Sequence, residues 1–185
     1  YKIEKTDPGV YIKFKLKTDD ASLLVFTTTP WTLPSNVAIA ATRQGDYVKV
    51  KTDSGNLILA EARLELLESL GIKYSVIRKF KGKTLEGKEY APLFDTPTQI
   101  SLDKNNKARR IYMSIPILKE RIAPKTAEKK GVKAKDVFEQ FVNVNEGTGF
   151  VHMAPGHGKT DNEVGKHYGL PELSPLDAAC NFTEE

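Results

Sequence analysis

Two stretches of the sequence combine strand-forming residues, abrupt proline or glycine turns and clustered polar side chains. One covers residues 27–36, where three consecutive threonines precede Pro30 and the only tryptophan of the chain. The other covers residues 147–158, which are rich in glycine and lead on to Asp161. Threonine is favoured in strands because its branched side chain packs well there, but hydroxyl and amide groups at a strand end can also line a pocket for a polar ligand or a water molecule. The residues alone leave both interpretations open.

A helix is expected directly after the second stretch. Thr160 and Glu163 have the spacing of a capping box, which predicts a helix over residues 161–168 that ends at Gly169. Asp161 would lie in the first turn, where the helix dipole favours an ionised carboxylate. Its carboxylate is therefore either a surface group that stabilises the helix or a fixed anion at the mouth of a pocket.

Three other kinds of site match the sequence poorly. A phosphate-binding loop needs a glycine five residues before the Gly-Lys-Thr triplet at residues 158–160, and Met153 occupies that position. His152, His157 and Cys180 fit no standard spacing for a metal site, so no metal is predicted. A nucleophilic serine would need a Gly-x-Ser-x-Gly turn, and the sequence contains none.

The remaining pattern predicts mainly strands with a few helices. Val10, Ile12, Phe14 and Leu16 alternate with polar residues, which is typical of a half-buried strand. Closely spaced strands of this kind favour a barrel or a sandwich over a doubly wound sheet. Lysine and arginine crowd residues 97–139, where one or two basic helical pieces are expected. Further strands are predicted at residues 23–29, 36–42, 47–52, 57–59, 73–80 and 111–115, and a helix is predicted over residues 60–70 with its end at Gly71.

The composition is that of a single globular domain. The chain has 185 residues, and 28 basic residues against 24 acidic ones give a net charge of +4. This mild excess allows an anionic partner without requiring one. The single cysteine excludes an internal disulfide framework. No apolar run approaches the roughly 20 residues of a membrane span, and no signal peptide is recognisable, so we expect a soluble, intracellular protein.

The two motifs resemble those of the editing domain that is inserted in isoleucyl-tRNA synthetases. Residues 27–36 match the threonine-rich peptide of that family, and residues 147–161 match its second signature, in the same order along the chain. Valyl and leucyl relatives carry arginine in place of Thr29 and an acidic residue in place of Trp31. The isoleucyl branch is therefore preferred.

The resemblance covers residues 1–95 and 143–185 and implies one editing domain over residues 1–185. Residues 97–139 would be a divergent basic insertion, either a solvated surface or a contact for the tRNA backbone. Because the sequence lacks the His-x-Gly-His and Lys-Met-Ser-Lys-Ser signatures of the activating site, we expect a domain excised from a larger synthetase. The implied fold is mainly β with peripheral α-helices, in a β-barrel-like editing domain of the valyl-, leucyl- and isoleucyl-tRNA synthetase type.

The function that the resemblance implies is hydrolytic editing, in which valine wrongly attached to tRNA(Ile) is removed, with valyl-adenylate as a second possible substrate. The alternatives are a module that binds the acceptor end without hydrolysis, and an editing domain of a valyl or leucyl relative. The expected partners are the acceptor end of tRNA(Ile), the mischarged valyl ester and the rest of the synthetase chain, with no membrane. The domain itself is expected to need no cofactor, since ATP and Mg belong to the synthetase body. The expected location is the cytoplasm, with an organelle as the alternative.

The resemblance also implies a role for each motif residue. Asp161 would hold the α-ammonium of the misattached amino acid. His152 and Trp31, with the strand end at residues 27–29, would shape the side-chain pocket, and His152 would crowd the extra methyl group of isoleucine. The terminal adenosine and the attacking water would be held by Thr28, Thr29, Thr32 and Asn36. The predicted catalytic residues are thus Asp161, Thr29, Thr32 and Asn36, and the predicted substrate-binding residues are Thr27, Thr28, Trp31, His152 and Asp161.

Overall fold

Strands dominate the fold. The computed structural model describes residues 9–122, 135–175, 181 and 183. These residues contain three α-helices, α1 (Leu64–Ser69), α2 (Pro97–Ser101) and α3 (Lys159–Tyr168), and none of them is long and apolar enough to cross a membrane. The strands in the same residues are β1 (Val10–Lys15), β2 (Ala21–Thr27), β3 (Ala38–Ala41), β4 (Asp46–Thr52), β5 (Gly55–Ala60), β6 (Tyr74–Lys81), β7 (Ile111–Met113), β8 (Pro116–Ile122), β9 (Lys135–Gln140) and β10 (Phe150–Met153). The prediction of a mainly β domain with peripheral helices is confirmed.

The larger sheet has the strand order β1-β2-β5-β4-β6. Its neighbouring strands are antiparallel, except that β2 and β5 run parallel. The alternation predicted from Val10 is confirmed toward the end of β1, because Phe14 in the strand and Leu16 directly after it are buried, whereas Val10 at its start is exposed. The opposite face of the sheet carries Val48, which packs in one cluster with Leu67 of α1. The central strands β2, β5 and β4 are therefore covered on both faces, whereas the edge strand β6 is mostly exposed.

The smaller sheet, of order β10-β3-β7, lies between two parts of the hydrophobic core. Successive side chains of a strand point to opposite faces. In β3, Ile39 and Ala41 join the core of the larger sheet, whereas Ala38 and Ala40 join a second cluster that includes residues of α3. β10 pairs antiparallel with β3, which places His152 opposite Ile39. The described strands form separate sheets rather than one closed ring, so the fold is barrel-like only in a loose sense.

Sheet pairing shortens the helix that was predicted over residues 60–70. Ala60 is the last residue of β5, and its amide donates to Thr148 O at 2.9 Å. A 3-10 turn (Glu61–Arg63) then leads into α1. The predicted start was wrong because these long-range hydrogen bonds outweigh a local helical pattern. The predicted end is confirmed, since Gly71 has a φ of 69°, which is typical of the residue after a helix.

The basic segment (residues 97–139) is only partly helical. One helical piece is confirmed as α2, which continues into a 3-10 turn (Leu102–Lys104), but β8 and β9 form an antiparallel hairpin where further helix was expected. Arg109 is not solvated, because it is only 5% exposed and its guanidinium binds the Asp103 carboxylate and Gln99 O. Four of the lysines lie outside the described residues, namely Lys125, Lys129, Lys130 and Lys133.

The helix after the second motif begins two residues earlier than predicted. α3 starts at Lys159, and its N-cap is Gly158, which has no side chain to cap the helix. The predicted capping box was therefore wrong, because Thr160 lies inside the helix rather than at its N-cap. The predicted end is confirmed by Gly169, whose φ is 64°.

Candidate functional site

A cavity of about 460 Å³ lies where the end of β2 meets β10 and the first turn of α3. Its wall comes from both sequence motifs, which are brought together because β10 pairs with β3 and also contacts β2. Three of the four predicted catalytic residues, Thr29, Thr32 and Asp161, line it, whereas Asn36 does not. The residues predicted to bind substrate all line this cavity: Thr27, Thr28, Trp31, His152 and Asp161.

The threonine loop (residues 27–32) is closed by its own hydrogen bonds. Thr29 N donates to Thr27 Oγ1 at 3.1 Å, and both Thr32 N and Thr32 Oγ1 donate to Thr29 O, at 3.0 and 2.8 Å. Pro30 begins the 3-10 turn Pro30–Ser35, a position that suits its fixed φ and missing amide hydrogen. This arrangement leaves the hydroxyl oxygens of Thr27 and Thr29 3.2 Å apart at the cavity wall.

His152 stands in the middle of a directed chain of hydrogen bonds. Asn36 Nδ2 donates to Ala38 O at 3.0 Å, and because a carbonyl oxygen only accepts, this contact fixes which end of the amide is nitrogen. The same Nδ2 donates to His152 Nδ1 at 2.8 Å, so the ring hydrogen lies on Nε2. Nε2 then donates to Thr32 Oγ1 at 2.8 Å, whose own hydrogen goes to Thr29 O.

Burial keeps His152 neutral. The residue is 7% exposed, and the loss of hydration lowers the pKa of His152 to about 4, with a smaller contribution from nearby His157. Its Nδ1 lone pair is engaged by Asn36, and its Nε2 already carries a hydrogen. His152 is therefore a rigid wall and a hydrogen-bond donor rather than a general base.

Asp161 presents its carboxylate from the first turn of α3. Its Oδ2 accepts a hydrogen bond from Ala154 N at 2.9 Å, which holds the group at the cavity wall. The glycine at position 158 makes room for it, because a Cβ there would come within 3.2 Å of Asp161 Cγ. Burial raises the pKa of Asp161, while the bond from Ala154 and the charge of His157 oppose this rise. A partly desolvated carboxylate of this kind gains free energy from an incoming cation.

Asn36 lies behind the cavity wall rather than on it. Its side chain is 3% exposed, and its amide groups are bonded to Ala38 O, His152 Nδ1 and the Tyr90 hydroxyl. This placement differs from the direct contact with adenosine or water that was predicted. In the structure Asn36 positions His152.

Four further residues contribute to the site without having been predicted to, two from the motifs and two from outside them. His157 lines the cavity, and its Nε2 is 2.7 Å from Ser35 Oγ. Ser35 is fully buried, so its hydroxyl is not available as a nucleophile. Tyr90 and Gln99 contact Asn36 from 54 and 63 residues away, through Asn36 Oδ1 and the Asn36 carbonyl oxygen respectively. Neither belongs to a motif, and only the tertiary structure brings them to the loop.

The metal-ligand candidates do not form a group of ligands. Within residues 9–122 and 135–175 no three His, Cys, Asp or Glu side chains are placed to hold a metal ion. His152 and His157 are engaged by protein hydrogen bonds. Cys180 lies outside the described residues.

The chain is similar in sequence to isoleucine–tRNA ligases. It is 39% identical to that of Pyrococcus horikoshii over 193 residues, and 38% identical to those of Pyrococcus abyssi over 190 residues and Sulfurihydrogenibium sp. over 184 residues. These alignments cover 98% to 100% of this chain but only 16% of each relative. The chain thus spans about a sixth of the length of these relatives. No family model matches the chain.

The chain is similar in fold to solved synthetase editing domains. The editing domain of the P. knowlesi cytosolic leucyl-tRNA synthetase has a TM-score of 0.54 at 14% identity, covering 86% of this chain and 62% of that one. The crystal structure of GlLeuRS-CP1 has a TM-score of 0.52 at 15% identity, covering 80% of this chain and 50% of that one. Sequence and fold thus agree: the chain matches a segment of isoleucine–tRNA ligases over its whole length, and it has the fold of the synthetase editing domains.

Proposed function

We propose that this chain hydrolyses the ester between a wrongly attached amino acid and tRNA, and that its preferred substrate is Val-tRNA(Ile). The observation that carries the proposal is the composition of a single cavity. A carboxylate, a row of threonine hydroxyl groups and a neutral histidine surround the same space of about 460 Å³. These groups can bind an ammonium ion, hold a water molecule and limit the size of a side chain.

Asp161 binds the α-ammonium group of the substrate. One carboxylate oxygen is held by Ala154 N, which leaves the other oxygen for the ligand. Breaking a buried ion pair by removing one partner typically costs about 3–5 kcal/mol, because the remaining charge stays unpaired. The same contact selects against aminoacyl esters whose amino group is already acylated, since these carry no ammonium charge.

The threonine loop positions the attacking water. The Thr27 and Thr29 hydroxyl groups are close enough to share one water, and an aminoacyl ester is already activated, so positioning and stabilisation of the oxyanion suffice without a covalent nucleophile. The water oxygen attacks the ester carbonyl carbon, and the bond to the ribose oxygen breaks. The neighbouring ribose hydroxyl relays the proton of the water to the leaving ribose oxygen. The reaction requires no cofactor in this domain.

His152 limits the size of the side chain that enters. A hydrophobic pocket separates valine from isoleucine by only about 1–3 kcal/mol, and isoleucine–tRNA ligases are a standard example of this limit. A second, smaller pocket supplies the missing discrimination if it admits valine and excludes isoleucine. The His152 ring suits this task because hydrogen bonds at both nitrogens prevent it from turning away.

Deacylation of Val-tRNA(Ile) and Ile-tRNA(Ile) tests the proposal. We expect the wild-type chain to release valine only, and Asp161→Ala to stay folded without releasing it. Glu163→Ala is the matched control, because Glu163 is an exposed carboxylate of the same helix that does not line the cavity. Valine release by Asp161→Ala would overturn the site assignment. Release of threonine or norvaline from their esters in place of valine would reassign the chain to the editing domain of a valyl or leucyl relative.

A module that only binds the acceptor end of tRNA(Ile) is the second candidate. It is favoured by one observation, that both histidines at the cavity are engaged by protein hydrogen bonds. Binding of Val-tRNA(Ile) without valine release, both by the chain alone and within a complete synthetase, would select this candidate. In either case the partners are the tRNA acceptor end and the rest of a synthetase chain, and the place of action is the cytoplasm.

A further inference from the structure

A buried tyrosine lies behind His152, outside the cavity. Tyr90 is fully buried, and its hydroxyl donates to Asn36 Oδ1 at 2.6 Å. Burial raises the pKa of Tyr90 far above its usual value, so the hydroxyl keeps its hydrogen. On its other side Asn36 donates to His152 Nδ1. Tyr90 is therefore joined to the cavity wall through one amide and one imidazole.

We propose that Tyr90 is a positioning residue of this site. By donating to Asn36 Oδ1, it acts together with Ala38 O to keep the hydrogen of His152 on Nε2, and it thereby supports the direction of the hydroxyl hydrogens in the threonine loop. The effect on hydrolysis rests on the proposed function, whereas the effect on the histidine does not.

The Asn36 amide has two orientations that differ by a half-turn. In the observed one, Nδ2 faces Ala38 O and His152 Nδ1, and Oδ1 accepts from Tyr90. In the reversed one, Oδ1 faces His152, which must then carry its hydrogen on Nδ1, and Oδ1 also faces Ala38 O, so the hydrogen bond to that carbonyl oxygen is lost. Without the tyrosine hydroxyl, the observed orientation leaves a buried carbonyl oxygen unpaired, which is unfavourable. Removing that hydroxyl therefore weakens the preference for the observed orientation, which Ala38 O alone still favours.

A move of the His152 ring hydrogen from Nε2 to Nδ1 would change the hydrogen bonds at the cavity wall through Thr32. With the hydrogen on Nδ1, the Nε2 atom of His152 becomes an acceptor, and the Thr32 hydroxyl 2.8 Å away must turn its hydrogen toward it. Its bond to Thr29 O is then lost. Thr29 Oγ1, which is 3.4 Å from Thr32 Oγ1, meets a different arrangement of hydrogens and lone pairs. The groups that hold the water would point differently although no atom of the wall has been removed.

The test compares Tyr90→Phe with Tyr47→Phe. Tyr47 is also fully buried, but its hydroxyl donates to Gly149 O at 2.6 Å and accepts from Thr42 N. NMR of the imidazole nitrogens reports which nitrogen of His152 carries the hydrogen, and steady-state deacylation of Val-tRNA(Ile) gives kcat and KM. Asn36→Asp is a third variant, whose carboxylate only accepts and therefore requires a hydrogen on His152 Nδ1.

We expect the hydrogen on Nε2 in the wild type and in Tyr47→Phe, on Nδ1 in Asn36→Asp, and on Nε2 with an added Nδ1 fraction in Tyr90→Phe, because Ala38 O still favours the observed amide orientation. The kcat of Tyr90→Phe should fall about tenfold with little change in KM, because one hydrogen bond typically contributes about this factor. A hydrogen on Nε2 alone in Tyr90→Phe would overturn the proposal. A mixture of the two His152 tautomers in Tyr90→Phe with the kcat of the wild type would also overturn it, and so would the same mixture of tautomers in Tyr47→Phe. If the wild type releases no valine, the proposed function fails, whereas the NMR result still supports or overturns the role of Tyr90 in fixing His152.

Discussion

His152 should make the fold sensitive to acid between pH 6.5 and about 4. Its ordinary pKa is 6.5, and burial lowers the folded-state pKa to about 4. Within this window the unfolded chain binds a proton at His152 and the folded chain does not, so the free energy of unfolding falls as the pH is lowered. At higher pH the residue is neutral in both states, and its contribution no longer changes.

The size of this loss of unfolding free energy follows from the difference between the ordinary and the folded-state pKa of His152. One pKa unit corresponds to about 1.4 kcal/mol, so the interval from 6.5 to about 4 amounts to about 3 kcal/mol of unfolding free energy. The side chain is buried, and solvent therefore screens this effect little. Because domains are typically stable by about 5–15 kcal/mol, the loss is a large fraction of the total.

Urea unfolding of the wild type and His152→Gln, at several pH values from about 7 to about 4, measures the effect. Glutamine does not titrate and still offers an amide hydrogen toward Thr32. The other ionisable groups act alike in both proteins, so the difference between the two curves isolates His152. We expect the wild type to lose about 3 kcal/mol more than the variant over this range. Parallel curves, or an NMR titration of His152 with its midpoint near 6.5, would refute the reasoning.

Asp161 should titrate above the usual range of an aspartate, because burial raises its pKa. Only the ionised carboxylate binds an ammonium, so kcat/KM should fall as the pH drops through this raised pKa, and an acid limb at or below 3.8 would contradict the assignment. The raised pKa also means that the ionised carboxylate lowers stability at neutral pH. Asp161→Asn keeps an acceptor for Ala154 N, so it should unfold at the same or a higher temperature than the wild type while losing deacylation, and a clear drop in the melting temperature would argue otherwise. Gly149→Ala should be destabilised by about 1–3 kcal/mol, since φ there is 79° and the new Cβ would lie 2.4 Å from Ala60 Cβ. In urea unfolding, Gly87→Ala isolates the backbone contribution, because its φ is 75° and its Cβ would meet nothing within 4 Å; equal losses in the two variants would show that the close contact is harmless.

Secondary structure predicted from the local sequence pattern was most reliable where the tertiary structure requires the same conformation. In β1 the predicted alternation holds near the end of the strand, where Phe14 is buried between the exposed residues Lys13 and Lys15. The pattern failed where a distant partner decides the outcome. Ala60 has a helical sequence context but pairs in β5 and donates to Thr148 O, and the helix near Asp161 is capped by Gly158 rather than by Thr160.

The sequence by itself determined which chemical groups are available. The threonine loop and Asp161 supply the hydroxyl groups and the carboxylate of the site, and the order of the two motifs already pointed to one family. Only the tertiary structure decided which of these groups share a cavity, because that depends on the pairing of β10 with β3 and on its contact with β2. It also decided that Asn36 lies behind the wall, that Tyr90 holds it, and that His152 stays neutral. The residue type of an asparagine or a histidine does not reveal whether its side chain is exposed or buried. The orientation of the Asn36 amide and the proton position and pKa of His152 are set by burial and by hydrogen-bond partners that are distant along the chain.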